Sequence, residues 1–325
     1  MTRNGSNLME YVCCNLCGAD DADVRYPCTV SENPTTKDWA AFACTYDGYG
    51  RHHAIVQCRR CGLVYANPRF DNHDILETYQ AVEDPLYLEE REGRVLTFEH
   101  HLKPLERLTG PPDGRMLLDV GCYTGVFVEI AARHGWDAWG VEPSRWAVEQ
   151  ARVRGLHVVQ GTLEAAELPE AAFDVVTMWD VIEHLADPRG ALEQTYRLLR
   201  SPEPAGRPGG LLVVHTIDIE SLFARLMGAR WPWLMEMHIY YFSRRTLRAL
   251  LDRCGFQVLS DRPQGRYLRL GYLMNRVGAL MPLVGRPAEW LVTKLGLRGL
   301  AVPVNLGDLF TAYARKVEGT MGSNL

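Results

Sequence analysis

Leu117-Leu-Asp-Val-Gly-Cys-Tyr-Thr-Gly125 is the stretch that decides the fold. Met116 to Asp119 reads as a buried strand, a glycine-flanked turn follows, and Val126 to His134 continues at helical period. The turn glycines let backbone approach a ligand closely. A second apolar run ends at Glu142, 21 residues beyond Gly121. In a strand-helix-strand unit a carboxylate at that point can bond both hydroxyls of a ribose. The arrangement predicts a site for an adenosyl cofactor.

Which adenosyl cofactor depends on the turn. Dinucleotide folds use G-x-G-x-x-G and seat the pyrophosphate on the helix N-terminus. Here Gly121 and Gly125 stand in D-x-G-x-x-x-G, with Asp119 directly before the turn. A carboxylate there repels a pyrophosphate and suits the ammonium of a methionine moiety. On these residues the chain resembles the class I S-adenosylmethionine-dependent methyltransferases, whose first motif is usually D-x-G-x-G-x-G. It departs at the middle glycine, here Tyr123, whose ring either packs on the cofactor or crowds it. The resemblance implies that Asp119, Gly121, Cys122, Tyr123, Gly125 and Glu142 hold the cofactor. It also implies Thr162 and Leu163 near the adenine, and Trp179 in the same group.

Further segments follow in the order this resemblance requires. His157 to Gln160 reads as a third strand, Phe173 to Met178 as a fourth, Gly209 to His215 as a fifth, Phe256 to Leu259 as a sixth and Leu309 to Lys316 as a seventh. Strands alternating with helical stretches predict an α/β fold. The expected form is a Rossmann-like, seven-stranded, mostly parallel sheet with a small N-terminal zinc-binding subdomain and a helical insert before the last strand. The resemblance covers about residues 66 to 318.

Composition sets outer limits. The 325 residues allow one large domain and a small one, and 47% apolar content suits a globular core. No apolar run is long and uncharged enough to read as a membrane span. Met1-Thr-Arg-Asn-Gly5 shows no apolar signal region, so a cytoplasmic location is expected. A net charge of −5 argues against a broad nucleic-acid footprint. Nine cysteines without such a signal point away from a disulfide framework and toward metal.

Two pairs carry that metal reading: Cys14-Asn-Leu-Cys17-Gly18 and Cys58-Arg-Arg-Cys61-Gly62. Each C-x-x-C-G is a knuckle that turns two sulfurs toward one point, and the glycine permits a left-handed turn. Four thiolates on Zn²⁺ carry a net charge of about −2, which Arg59 and Arg60 are placed to offset. Forty residues separate the pairs, so a small subdomain must fill the interval. Cys13 is a possible substitute ligand, and redox-active or merely buried cysteines are the alternative. The knuckles, followed by Gly62-Leu-Val-Tyr-Ala-Asn-Pro68, look like those of bacterial methyltransferases with a zinc-binding head. Many of that group sit in pathways for cell-surface glycans and secondary metabolites, and the resemblance implies a similar setting here. The expected organisation is a zinc head over 1–65, a helical lid or linker over 66–110, and a cofactor-binding domain over 111–318 containing an insert at 265–305. Tyr79, Tyr87 and Phe98 make 66–110 either a wall of the cofactor pocket or a plain connector.

The chemistry is expected at Asp180-Val-Ile-Glu183-His184, which begins where the fourth strand ends. If helical, Asp180, Glu183 and His184 fall on one face, and His238 is a fourth candidate after the fifth strand. Acid-x-x-Glu-His with a distal His is similar to the metal site of small-RNA 2′-O-methyltransferases and ubiquinone-pathway O-methyltransferases. That resemblance implies Mg²⁺, Mn²⁺ or Zn²⁺ orienting acceptor hydroxyls. Without metal, His184 or His238 serves as general base; the third alternative is purely structural roles. Trp231 and Trp233 either line an acceptor pocket or pack in the core.

Residues 265–305 carry six basic side chains against Glu289 alone, so this segment is +5 in a chain of −5. A basic amphipathic hairpin there suits a membrane surface or an anionic or lipid-like acceptor; a helical cover or homodimer face is the alternative. The expected activity is methylation of a small-molecule hydroxyl. Its rivals are an RNA methyltransferase and a non-catalytic cofactor-binding interaction protein.

Overall fold

The computed structural model describes residues 9–31, 39–203, 206 and 208–318. The expectation about Met1 to Gly5 lies outside the described residues. Seven strands form the main sheet: β1 (Met116–Val120), β2 (Asp137–Glu142), β3 (His157–Gln160), β4 (Val175–Trp179), β5 (Leu211–Ile217), β6 (Phe256–Pro263) and β7 (Leu309–Lys316). Their order is β6-β7-β5-β4-β1-β2-β3. β1 to β5 run parallel to one another, and β7 runs antiparallel to both β5 and β6. The sheet is therefore the Rossmann-like one expected.

Strand limits differ where pairing decides them. Phe173 makes only a lone bridge to Leu199, so β4 starts at Val175. β6 runs on to Pro263 because β7 pairs with it along its length, across an irregularity between Val258 and Ser260. The central strands β1, β4 and β5 are apolar on both faces, as strands covered by helices on both sides must be. Alternate residues serve opposite layers. Leu117, Val175, Leu211 and Val213 pack with Leu102 and Leu105 of α3 (Arg91–Thr109) and with Phe127 and Ile130 of α4 (Val126–Arg133). Leu118, Val176, Leu212 and Val214 pack with Leu192 and Leu198 of α6 (Pro188–Leu198) and with Leu247 and Leu250 of α8 (Arg244–Arg253). The remaining sheet helices are α5 (Arg145–Val153) and the short α7 (Leu222–Met227).

Between the head and β1, α1 (Asn72–Ala81) and α2 (Pro85–Glu89) precede α3. Their starts are set by acid caps: Asp71 accepts from Asp74 N–H and Asp84 from Tyr87 N–H, the usual way to satisfy exposed helix donors.

The head is an antiparallel sheet of Ala22–Tyr26, Ile55–Cys58 and Val64–Ala66, and its fourth strand is Tyr240–Tyr241 from the main domain. Gly18 (φ 72°) and Gly62 (φ 79°) take the left-handed turn expected of each knuckle. The sulfurs of Cys14, Cys17, Cys58 and Cys61 lie within 4.8 Å of one another. Cys13 is exposed and outside that group. Arg59 does not serve as counter-charge to the sulfurs: its guanidinium turns to Asp23 (2.5 Å) and Asp21 (3.2 Å), on the surface.

The 265–305 segment is not wholly helical. An antiparallel pair, Arg266–Arg269 with Ala301–Val304, forms a stalk for α9 (Leu270–Leu280) and α10 (Pro282–Lys294). Gly278 and Gly285 let the two helices touch backbone to backbone, since a Cβ on Gly285 would overlap Gly278. Among the described residues, no helix is long and apolar enough to cross a membrane.

Candidate active site

A cavity of about 1000 Å³ opens at the carboxyl ends of β1, β2, β4 and β5, walled by α1 to α3 and by the insert. This is the crevice in which parallel α/β sheets bind ligands.

At one end, Asp119 is 3% exposed and accepts a 2.7 Å hydrogen bond from the Thr177 hydroxyl. Burial pushes its carboxyl up to about 8, against that bond. Such a carboxylate suits a cationic ligand, because an ammonium would offset its lost hydration. Glu142 accepts from Tyr123 N–H (2.9 Å) and Ser144 N–H (2.8 Å) through different oxygens. Burial raises it to about 7, the two backbone bonds opposing. Each oxygen keeps a lone pair for a hydroxyl donor, as a ribose would need. Gly121 has φ 64°, and a Cβ there would run into the Val181 side chain. These groups fit S-adenosylmethionine.

Cys122, Thr162, Leu163 and Trp179 also line the cavity; Gly125 does not. Gly125 begins α4 and faces Leu156 and Ala151, so its work is helix packing. Tyr123 has φ 48° and sets its ring edge-on to Tyr87, centroids 4.4 Å apart, with its hydroxyl buried and unpartnered among the described residues. Tyr87 in turn carries the Arg94 guanidinium 3.6 Å above its ring. Tyr79, Tyr87 and Phe98 all face the cavity, so residues 70 to 110 supply a wall.

The other end is built on the turn after β4. Ile182–His184 forms a single 3₁₀ turn, and Asp180 stands at φ 55°, so Asp180 does not share a helical face with Glu183 and His184. Its carboxylate instead meets Arg266 at 3.1 Å through both oxygens and lies 3.6 Å from His215 Nε2. Burial would raise it, yet Arg266 and the neighbouring histidines hold it below the ordinary carboxylate range. Glu183, His184 and His238 do converge, their donor atoms within 4.8 Å of one another. Glu183 accepts from the Thr216 hydroxyl at 2.8 Å, while burial and the nearby Asp180 push it to about 8.

Hydrogen bonds fix both imidazoles. His184 Nδ1 lies 2.8 Å from the Met237 carbonyl and 2.9 Å from the Tyr79 hydroxyl; His238 Nδ1 lies 2.7 Å from the Trp233 carbonyl. A carbonyl only accepts, so each ring carries its proton on Nδ1 and leaves the Nε2 lone pair free. Burial depresses both histidines, His238 to about 3, so both are neutral near pH 7.

Sequence reasoning passed over His101, His215 and Thr216, and placed Tyr79 in the wall without its hydrogen bond to His184. His215 was legible in principle, since it ends the fifth apolar run and pairs in register with Trp179. His101 had no local signal: it lies on α3 and donates from Nε2 to the Gly265 carbonyl, 164 residues away. Trp231 belongs to the core at 1% exposure, whereas Trp233 lines the cavity; both indoles donate to Asp308.

Known proteins agree with this architecture. The family model described as "Methyltransferase domain" matches residues 87–261, more than half of the chain. A ubiquinone biosynthesis O-methyltransferase of Alkalilimnicola ehrlichii is 31% identical over 146 residues, which cover 41% of this chain and 56% of that protein. The mitochondrial ubiquinone biosynthesis O-methyltransferase of Schizosaccharomyces pombe is 35% identical over 123 residues, covering 35% and 42%. The chain thus spans about half the length of these relatives. In solved structures, a chain of the Haloferax volcanii complex containing the Trm112 methyltransferase activator superposes with a TM-score of 0.50 at 15% identity, covering 77% of this chain and 99% of that one. That likeness concerns the fold. With its motif order, sheet topology and family match, the chain belongs to the methyltransferase domain family of class I S-adenosylmethionine-dependent enzymes.

Proposed function

We propose that the protein methylates a hydroxyl oxygen of a small molecule, using S-adenosylmethionine. The observation that carries this reading is the pair of neutral imidazoles, His184 and His238, with free Nε2 atoms beside Glu183 in the cavity that also holds Asp119 and Glu142. The O-methyltransferase relatives support the same reading.

When bound, S-adenosylmethionine would supply a sulfonium methyl: the acceptor oxygen bonds the methyl carbon in line as the carbon–sulfur bond breaks, its electron pair leaving on the sulfur of S-adenosylhomocysteine. Asp119 takes the ammonium and Glu142 the ribose hydroxyls, with Thr162, Leu163 and Trp179 around the adenine end. The acceptor hydroxyl sits against His184 and His238, and its proton passes to an Nε2. The Nδ1–carbonyl bonds hold each ring, before transfer, in the tautomer that accepts at Nε2. Trp233 bounds the acceptor side.

The same three donors favour a second reading, in which a divalent cation holds the acceptor oxygen. Imidazoles anchored by Nδ1–H to carbonyls are the usual outer support of metal ligands. Asp180 takes no part in such a site, because Arg266 occupies it.

The cysteine cluster fits a structural zinc. Its Cys14–Cys61 and Cys17–Cys58 sulfurs are 3.4 and 3.5 Å apart, near the roughly 3.8 Å edge of a tetrahedral zinc–thiolate site. A closed four-sulfur site holds fold and leaves no position for substrate.

Transfer of labelled methyl into small-molecule, nucleic-acid and protein pools of a cell extract tests the proposal. Label in the small-molecule pool, lost in Glu142→Ala and reduced in His184→Ala, is expected. Label in RNA would establish the macromolecular alternative, and cofactor binding without any transfer would establish a non-catalytic role. Repeating the assay with chelator, then added Mg²⁺ or Mn²⁺, separates base from cation.

A further inference from the structure

The insert presents an unusual surface. Leu283 is 93% exposed, Trp290 62%, Leu295 60%, Met281 56%, Val284 52% and Leu291 50%. All six lie on or beside α10. Isolated exposed apolar residues are ordinary, but this many on one hairpin mark an interaction surface.

The charges on the hairpin divide into two sets. Arg266, Arg269 and Arg276 point inward: they meet Asp180, Glu90 and the Thr45 carbonyl. Arg286, Lys294 and Arg298 are exposed around the apolar patch, and the one acid, Glu289, already pairs with Arg298. The outer face is therefore apolar with a basic surround.

We propose that the α9–α10 hairpin docks on an anionic membrane surface. An apolar face flanked by Lys and Arg matches the layered chemistry of a lipid interface, apolar side chains entering the acyl boundary and cations meeting headgroup phosphates. Trp290 is the residue type that settles at that boundary. A second copy of the chain fits less well, because a two-fold contact would set this basic surround against itself. The backbone contact at Gly278 and Gly285 keeps the helices together as one unit while they are immersed. Docking would also bring the cavity to the membrane, since Tyr272, Leu273, Val277 and Leu280 of α9 line it. This inference does not depend on the reaction assigned above.

Flotation of the full chain with vesicles tests it. Vesicles of phosphatidylglycerol and phosphatidylcholine should carry the protein up the gradient, those of phosphatidylcholine alone at least tenfold less, and 0.5 M salt should weaken the anionic case. Leu283→Ser combined with Trp290→Ser should lower binding at least tenfold, with an unchanged circular dichroism spectrum and cofactor affinity. Arg286→Gln with Lys294→Gln should remove the preference for anionic lipid. Failure of the wild-type chain to float with anionic vesicles overturns the proposal. A wild-type dimer that the serine pair converts to monomer in sedimentation, without vesicle binding, assigns the face to a second copy instead.

Discussion

At the scale of single residues, the cavity holds its ionisable groups in forms that water would not favour. Asp119, raised to about 8 by burial, is mostly protonated at pH 7 before ligand arrives. An ammonium beside it favours the carboxylate, so binding S-adenosylmethionine at pH 7 should release close to one proton from Asp119. Calorimetry in buffers of different ionisation enthalpy should show that release, and Asp119→Asn should abolish it. Glu142→Ala should weaken cofactor binding at least tenfold, about 1.4 kcal/mol or more, read by the same titration. His184→Ala and His238→Ala should lower kcat by about 10²- to 10⁴-fold while cofactor Kd stays within a factor of about two. Because burial depresses both imidazoles, they stay unprotonated as pH falls through 6.5, the ordinary histidine value. With S-adenosylmethionine saturating, so that Asp119 is already ionised against the ammonium, the acidic limb of kcat/KM for the acceptor should therefore lie below that value. A limb near 6.5 that survives in both alanine variants would remove the histidines from the base role.

At the scale of elements, the two knuckles show how short motifs build a site that neither forms alone. Each C-x-x-C-G fixes a local turn, and the strands of the head bring the turns together across the 40-residue interval. Zinc analysis of the purified chain should find one ion per molecule, and Cys17→Ser should lose it. Removing a structural metal costs several kcal/mol, so thermal unfolding of the head should begin on the order of 10 °C lower. The 3₁₀ turn after β4 carries the opposite lesson. Its motif suggested a helical face, but Ile239 N–H binds the Glu183 carbonyl and Asp180 takes a left-handed conformation, so the chain turns after one bend.

At the scale of the whole molecule, the head and the reaction site are one structure. Val64 and Tyr65 pair with Tyr241 and Tyr240, and Ala66 N–H binds the Ile239 carbonyl, directly after His238. The cysteine-bearing sheet thereby fixes the loop on which His238 stands. Loss of zinc should consequently lower kcat more than it weakens cofactor binding, since Asp119 and Glu142 belong to strands the head does not touch in register. Parallel measurement of kcat and cofactor Kd on zinc-depleted protein checks this; an equal loss in both would mean general unfolding.

The sequence by itself determined the sheet, the placing of Asp119, Gly121 and Glu142 at one end of the cavity, and the cysteine pairs. Those features rest on neighbours in the chain: apolar runs of strand length, carboxylates toward the ends of β1 and β2, a glycine where backbone must turn left. Only the tertiary structure decided the end built on the turn after β4. Arg266, 86 residues from Asp180, draws that carboxylate away from Glu183 and His184. Tyr79, 105 residues from His184, helps orient its ring. His101 and His215 meet across α3 and β5 with centroids 5.2 Å apart. Gly125, a motif glycine, lies outside the cavity, against Ala151 of α5 and Leu156. Charge pairing and tautomer choice depend on which groups share a buried space, and that is settled by packing between distant segments, where spacing along the chain carries no record.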